Sequence, residues 1–144
     1  MAVRSATPYE MLIINNHQSI VQTEATMGYI KQTDFIPNLN EYFHGLTDYF
    51  VLVENGVFCG WVLVGETHHP YKNKEACAMV LELYIFKNYR QYGFGHELMK
   101  HAIADFKNRG FKSVQLNVFE GNPAKKLYSK LGFKDISTMM EKTL

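Results

Sequence analysis

The chain has 144 residues, 15 Lys or Arg against 14 Asp or Glu, and is 47% hydrophobic, 14% aromatic and 20% charged. Length and composition fit one globular domain spanning residues 1–144, with enough chain to build a core without a metal or disulfide. The near-balanced charge excludes a broad footprint for nucleic acid or an anionic membrane, and no apolar run approaches the roughly 18 residues of a membrane span.

Thr7-Pro8 opens a helix, with Thr7 as N-cap and Pro8 at the first helical position. Met11, Ile14 and Val21 keep its period to about residue 23. Residues 24–40 mix Gly28, Pro37 and aromatics, and read as a loop with a short helix. Residues 49–53 and 57–64 are β-branched and aromatic runs flanking Glu54-Asn55-Gly56. Asn-Gly supplies the two positive-φ residues of a type I′ turn, so these runs form a tight hairpin. A polar loop, 67–74, follows. Residues 75–86 are nearly all apolar except Glu82, as in a strand buried on both faces and therefore internal to a sheet.

The period then changes. Leu98, Met99, Ala102, Ile103 and Phe106 follow a helical repeat that stops at Gly110. Val114, Leu116 and Val118 alternate as a strand. Asn122-Pro123 starts another helix, with Asn122 as N-cap and an inward stripe of Leu127 and Leu131. Residues 133–144 read as a last strand. This order predicts an α+β fold with a mixed sheet and helices on both faces. The N-terminal ten residues lack the apolar core of a signal peptide. Cys59 and Cys77 have no CxxC spacing and read as reduced core thiols, as expected of a cytoplasmic chain, with a disulfide between them as the alternative.

The segment richest in chemistry is Arg90-Gln91-Tyr92-Gly93-Phe94-Gly95-His96, where the internal strand gives way to a helix. Free backbone N–H groups and the positive end of the helix dipole meet there. Glycines at 93 and 95 allow close approach, and Arg90 adds a cation. A phosphate or diphosphate is the natural occupant. The run is neither GxxxxGK[ST] nor GxGxxG, which excludes the P-loop and the dinucleotide fingerprint.

These residues resemble the GNAT superfamily of N-acetyltransferases. Arg90-Gln-Tyr-Gly93-Phe-Gly95 matches its acetyl-CoA motif, R/Q-x-x-G-x-G/A. Ala124-Lys-Lys-Leu127-Tyr128-Ser-Lys-Leu-Gly132-Phe133 matches its second motif. Together they cover about residues 79–135, in the family's order and spacing. The chain departs at Gln91, where the family usually has Gly, and at Asn122, one residue later than the family's Asn.

The resemblance implies an αβα sandwich with a mostly antiparallel central sheet of 6–7 strands. It implies acetyl-CoA as cosubstrate and direct attack by a primary amine within a ternary complex, with a small molecule or a peptide as acceptor. The pantetheine arm would lie along the backbone of Leu83, Tyr84 and Ile85. The diphosphate would lie on the amides of Gln91, Tyr92, Gly93, Phe94, Gly95 and His96, near Arg90, with Asn122 at the cofactor or serving only as a cap. Tyr128 resembles the general acid, its ordinary pKa of about 10 lying above that of a thiol. Glu82, a lone carboxylate in an apolar strand, reads either as the base or as one half of a structural ion pair to a helix. The acceptor wall would come from the N-terminal third, especially residues 24–46, and from the loop after Trp61, with Tyr29, Phe35, Tyr42 and Phe43 beside Glu24, Asp34, Glu41 and Asp48. No metal is expected, because His68-His69 has no carboxylate or thiol beside it. Nucleic-acid and membrane partners are not expected. Family members are often dimers, so a homodimer is compatible. The alternative function is a non-catalytic acyl-CoA-binding sensor or interaction domain on the same fold.

Overall fold

The computed structural model describes residues 1–37, 47–73 and 75–144. Five strands, β1 (Ala2–Ser5), β2 (Asp48–Glu54), β3 (Val57–His68), β4 (Ala76–Ile85) and β5 (Val114–Leu116), lie side by side in chain order. The first three pairings are antiparallel and β4–β5 is parallel. The expected β2–β3 hairpin forms, with Asn55 and Gly56 at φ 50° and 76°.

Helices α1 (Pro8–Asn16) and α2 (Gln18–Ala25) cover one face of the sheet. Thr7 caps α1 through a reciprocal pair of bonds with Glu10: the Glu10 amide donates to Thr7 Oγ1, and the Thr7 amide donates to Glu10 Oε1. The single helix expected to about residue 23 is interrupted at His17, whose backbone caps α1 before α2 begins. Ile14 and Val21 still reach the core, where they meet Val51, Trp61 and Tyr84. On the other face, α3 (Phe94–Asn108) lays Leu98, Met99, Ala102 and Phe106 onto Leu52, Val62, Val64, Ala78 and Val80. Tyr128, on α4 (Ala124–Lys130), joins this second core.

Two differences from the expected fold bear on the site. The described residues form five strands, not six or seven. Residues 133–144, expected as a last strand, take no part in the sheet. A strand exists only where its N–H and C=O groups find a ladder, and this segment lies beside none. Of the residues assigned to the acceptor wall, Glu41, Tyr42 and Phe43 lie outside the described residues.

Candidate active site

The site begins at a break in the sheet. Ala78, Met79 and Val80 of β4 pair with Val114, Gln115 and Leu116 of β5, and the pairing ends there. Beyond it, β4 continues alone on that side to Ile85. A β-bulge falls at the same point: Leu63 pairs with Glu82 and Val64 with Val80, so Leu81 is the extra residue. Such bulges bend a strand and end its pairing.

The alternation of the β4 ladder fixes which groups face the gap. The Phe86 amide donates to the Cys59 carbonyl at 3.0 Å, on the β3 side. Alternate residues point the opposite way, so the polar backbone groups of Leu83 and Ile85 turn to the open edge. The Ile85 carbonyl accepts from Arg90 Nε at 2.8 Å. Tyr84 faces the aromatic cluster under α1, stacked on Trp61 with centroids 4.9 Å apart.

The open edge leads into the glycine turn. Gln91 and Gly93 both take left-handed backbone conformations, at φ 71° and 78°. Thus Gln91 adopts the geometry the family reserves for Gly, despite its Cβ. Among the described residues, the amides of 91–96 have no intramolecular acceptor; Glu97 is the first of the turn to bond back, to the Gly93 carbonyl at 3.1 Å. A Cβ on Gly95 would lie 3.5 Å from Leu127 and 3.8 Å from Leu83, so this glycine lets the start of α3 settle against α4 and β4. The turn opens into a cleft of about 230 Å³ lined by Ile85, Arg90, Gln91, Gly93, His96 and Leu127. Its row of free amides and the bare edge beside it fit a diphosphate and an extended amide-bearing arm.

Arg90 is already engaged. Its Nη2 contacts Glu24 Oε2 of α2 at 2.8 Å, and its guanidinium lies 5.3 Å from the centre of the Tyr84 ring. Lys87 adds a looser contact to Glu24, at 3.8 Å. Asp48, another carboxylate expected at the acceptor wall, pairs with Arg109 at 3.5 Å. Asn122 acts as a tie at the helix start: its Oδ1 accepts from the Ala124 amide at 2.9 Å, and its Nδ2 donates to the Ala25 carbonyl at 3.2 Å. It thereby joins the start of α4 to the end of α2.

Tyr128 is buried beside Phe133, their ring centroids 5.9 Å apart. Burial pushes its phenol up to about 12. Among the described residues its hydroxyl has no hydrogen-bond partner, so the proton is held and uncommitted. Glu82 lies on the α1–α2 face. Its Oε2 accepts from Trp61 Nε1 at 2.5 Å and from Gln18 Nε2 at 3.3 Å. Desolvation raises its pKa above the ordinary carboxylate value, against the lowering effect of those two donors. The ion pair to a helix, one of the two sequence readings of Glu82, is not found among the described residues; its helical partner is the neutral Gln18.

Glu82 and Tyr128 therefore serve opposite faces of the sheet, on either side of the gap. Trp61 and Gln18, which hold Glu82, were not legible in the sequence as part of the site, and Glu24, expected at the acceptor wall, instead holds Arg90. One signal was available: a buried Trp needs an acceptor for its N–H, and Glu82 is the lone carboxylate of the internal strand.

Comparison with known proteins agrees with this geometry. The family described as acetyltransferase (GNAT) family matches residues 17–133. The [ribosomal protein bS18]-alanine N-acetyltransferase of Haemophilus influenzae is 34% identical over 59 residues, a match spanning 41% of this chain and 40% of that protein. Among solved structures, an acetyl transferase candidate from Pyrococcus furiosus superposes with a TM-score of 0.81 at 23% identity, covering 99% of both chains. An aminoglycoside N-acetyltransferase in complex with CoA superposes with a TM-score of 0.69 at 14% identity, covering 99% of this chain and 93% of that one. With its family match, its sheet parted after Val80 and its glycine turn at the head of α3, the chain belongs to the acetyltransferase (GNAT) family.

Proposed function

We propose that the protein transfers the acetyl group of acetyl-CoA to a primary amine by direct attack in a ternary complex. The observation that carries this reading is the continuity of the bare β4 edge, from residue 81 to 85, with the unpartnered amides of residues 91–96. The edge groups of Leu83 and Ile85 suit the amides of a pantetheine arm. The turn amides suit the diphosphate, with Arg90 at the rim contributing field more than contact while Glu24 holds it. When bound, acetyl-CoA supplies an activated thioester carbonyl at the gap.

The chain's own groups then divide the proton work. An alkyl ammonium cannot attack until it loses a proton, and Glu82, its pKa raised by burial, accepts that proton at Oε1 or Oε2 directly or through one water. A backbone amide near Leu83 faces the developing negative charge on the carbonyl oxygen. Tyr128 Oη gives its proton to the departing sulfur from the opposite face. With base and acid on opposite faces, the arriving nitrogen and the leaving sulfur do not compete for one space. The acceptor enters on the α1–α2 side, where Gln22 pins the following loop by donating to the Ile36 carbonyl at 2.6 Å and accepting from the Ile36 amide at 2.9 Å. The relative from Haemophilus and the aminoglycoside enzyme make a peptide amino terminus and an aminoglycoside the first amines to assay.

The test is thiol release from acetyl-CoA by purified protein across polyamines, aminoglycosides and alanine-led peptides. Turnover with any of them, lost in Glu82→Gln, supports the reading. If no amine yields CoA above the hydrolysis background while CoA still binds, the protein is an acyl-CoA sensor and the catalytic reading fails.

A further inference from the structure

Arg90 supplies the fixed positive charge of the glycine turn and lines the cleft in front of it, yet its donors are committed elsewhere. Nε donates to the Ile85 carbonyl at 2.8 Å and Nη2 to Glu24 Oε2 at 2.8 Å, and the guanidinium lies over the Tyr84 ring, 5.3 Å from its centre. Nη1 has no partner among the described residues. Ile85 and Tyr84 belong to β4, the strand that leads into the turn. Of these contacts, only Glu24 pulls the guanidinium from outside, toward α2.

Glu24 is not free to follow Arg90 toward a ligand, because the end of α2 is pinned. Asn122 Nδ2 donates to the Ala25 carbonyl at 3.2 Å, and the Thr26 hydroxyl donates to the Gln22 carbonyl at 2.7 Å. Lys87, at 3.8 Å, leaves the carboxylate between two cations. A guanidinium uses the same N–H groups for a carboxylate as for a phosphate. A fixed carboxylate and an incoming diphosphate therefore compete for one side chain.

We propose that Glu24 is a positioning residue that sets how long CoA stays bound: by holding Arg90 toward α2, it withholds the guanidinium from the diphosphate. This rests on the reading of the turn as the diphosphate site. The diphosphate is then gripped by backbone amides, with Arg90 as a neighbouring charge and not a ligand. An acetyltransferase must shed CoA after every turnover, and product release is often the slow step. A grip kept one charged contact short shortens the stay of CoA, while the β4 edge and the turn still fix where the thioester lies.

The experiment measures CoA binding by isothermal titration, and CoA dissociation by stopped-flow displacement, in the parent, Glu24→Ala, Arg90→Met and the double variant. Released from Glu24, Arg90 turns to the diphosphate, so Glu24→Ala should bind CoA about tenfold more tightly. The gain should lie in a slower dissociation rate. In the Arg90→Met background the same substitution should change the dissociation constant by less than about twofold. A merely structural role for Glu24 would not produce this dependence on Arg90. The Glu24 side chain is partly exposed, so folding of the variant is not at risk. Glu24→Ala that binds CoA no more tightly than the parent overturns the proposal. So does a gain that persists without Arg90, since the charge of Glu24 itself or the release of Lys87 would then be its cause. A parent and variants that all fail to bind CoA overturn the diphosphate reading and this proposal with it, which separates the two failures.

Discussion

Trp61 Nε1 donates to Glu82 Oε2 at 2.5 Å across the β3–β4 pair, fixing a carboxylate whose pKa burial has raised. The indole is fully buried, so its N–H has no water to turn to. Each group answers the other's cost of burial, and the carboxylate is held at the gap in one orientation.

That relationship predicts opposite effects of Glu82→Gln on stability and on activity. The folded state holds the Glu82 proton more tightly than the unfolded chain does. Stability from this group is therefore full below the ordinary carboxylate pKa and is lost as pH rises through the raised one. Gln keeps an acceptor for Trp61 and carries no charge, so the variant should melt higher than the parent near neutral pH and show no such loss. Its kcat/KM should fall by about 10²–10⁴, and the acid limb of the parent's pH–rate profile should vanish. Thermal melts across pH and initial rates check both. A variant with rates within about tenfold of the parent removes Glu82 as base.

Tyr128→Phe keeps the ring in the core and removes only an uncommitted hydroxyl. Stability should change by less than about 1 kcal/mol, because no intramolecular bond is broken. CoA affinity should be preserved, while kcat should fall about 10²-fold or more. With the phenol pushed up to about 12, no basic limb from Tyr128 should appear below about pH 11. Isothermal titration with CoA and steady-state rates separate binding from chemistry; equal losses in both would assign Tyr128 to packing.

Two positions in the turn share a left-handed backbone and differ in side chain. Gln91→Gly removes a Cβ from an unfavourable φ, worth about 1–2 kcal/mol. It also frees the unfolded chain by about 0.4–1 kcal/mol, so the net should be a gain of up to about 1.5 kcal/mol. Gly93→Ala should instead cost about 1 kcal/mol and weaken CoA binding by distorting the free amides. Urea midpoints rank the two variants, and a destabilised Gln91→Gly contradicts the strain argument.

Arg90 tests what grips the diphosphate. The amides of 91–96 remain in Arg90→Met, and the guanidinium is spent on Glu24 and the Ile85 carbonyl. CoA affinity should therefore fall less than about tenfold. The half-exposed ion pair itself is worth no more than about 1 kcal/mol, so folding should be little affected. A loss of about a hundredfold or more in CoA binding would mean that the side chain leaves Glu24 for the ligand.

What was legible in the sequence was local. Asn55-Gly56 specified a turn because those two residues tolerate positive φ. Thr7 and Glu10 specified a helix start, and the repeat from Leu98 to Phe106 specified a helix with one buried face. The glycines at 93 and 95, with Leu127 and Tyr128 at their spacing, carried enough backbone chemistry to indicate the family. Each depends on neighbours within a few positions, so adjacent residues encode it.

Tertiary structure decided the rest, because it depended on partners far apart in the chain. Whether residues 133–144 form a strand turns on a free ladder, not on their alternation. The fate of Arg90 turned on Glu24, 66 positions away, and the hydrogen-bond partners of Glu82 are Trp61 and Gln18, 21 and 64 positions away. A hydrogen bond or an ion pair is a statement about distance, and only packing of the sheet against its helices set those distances.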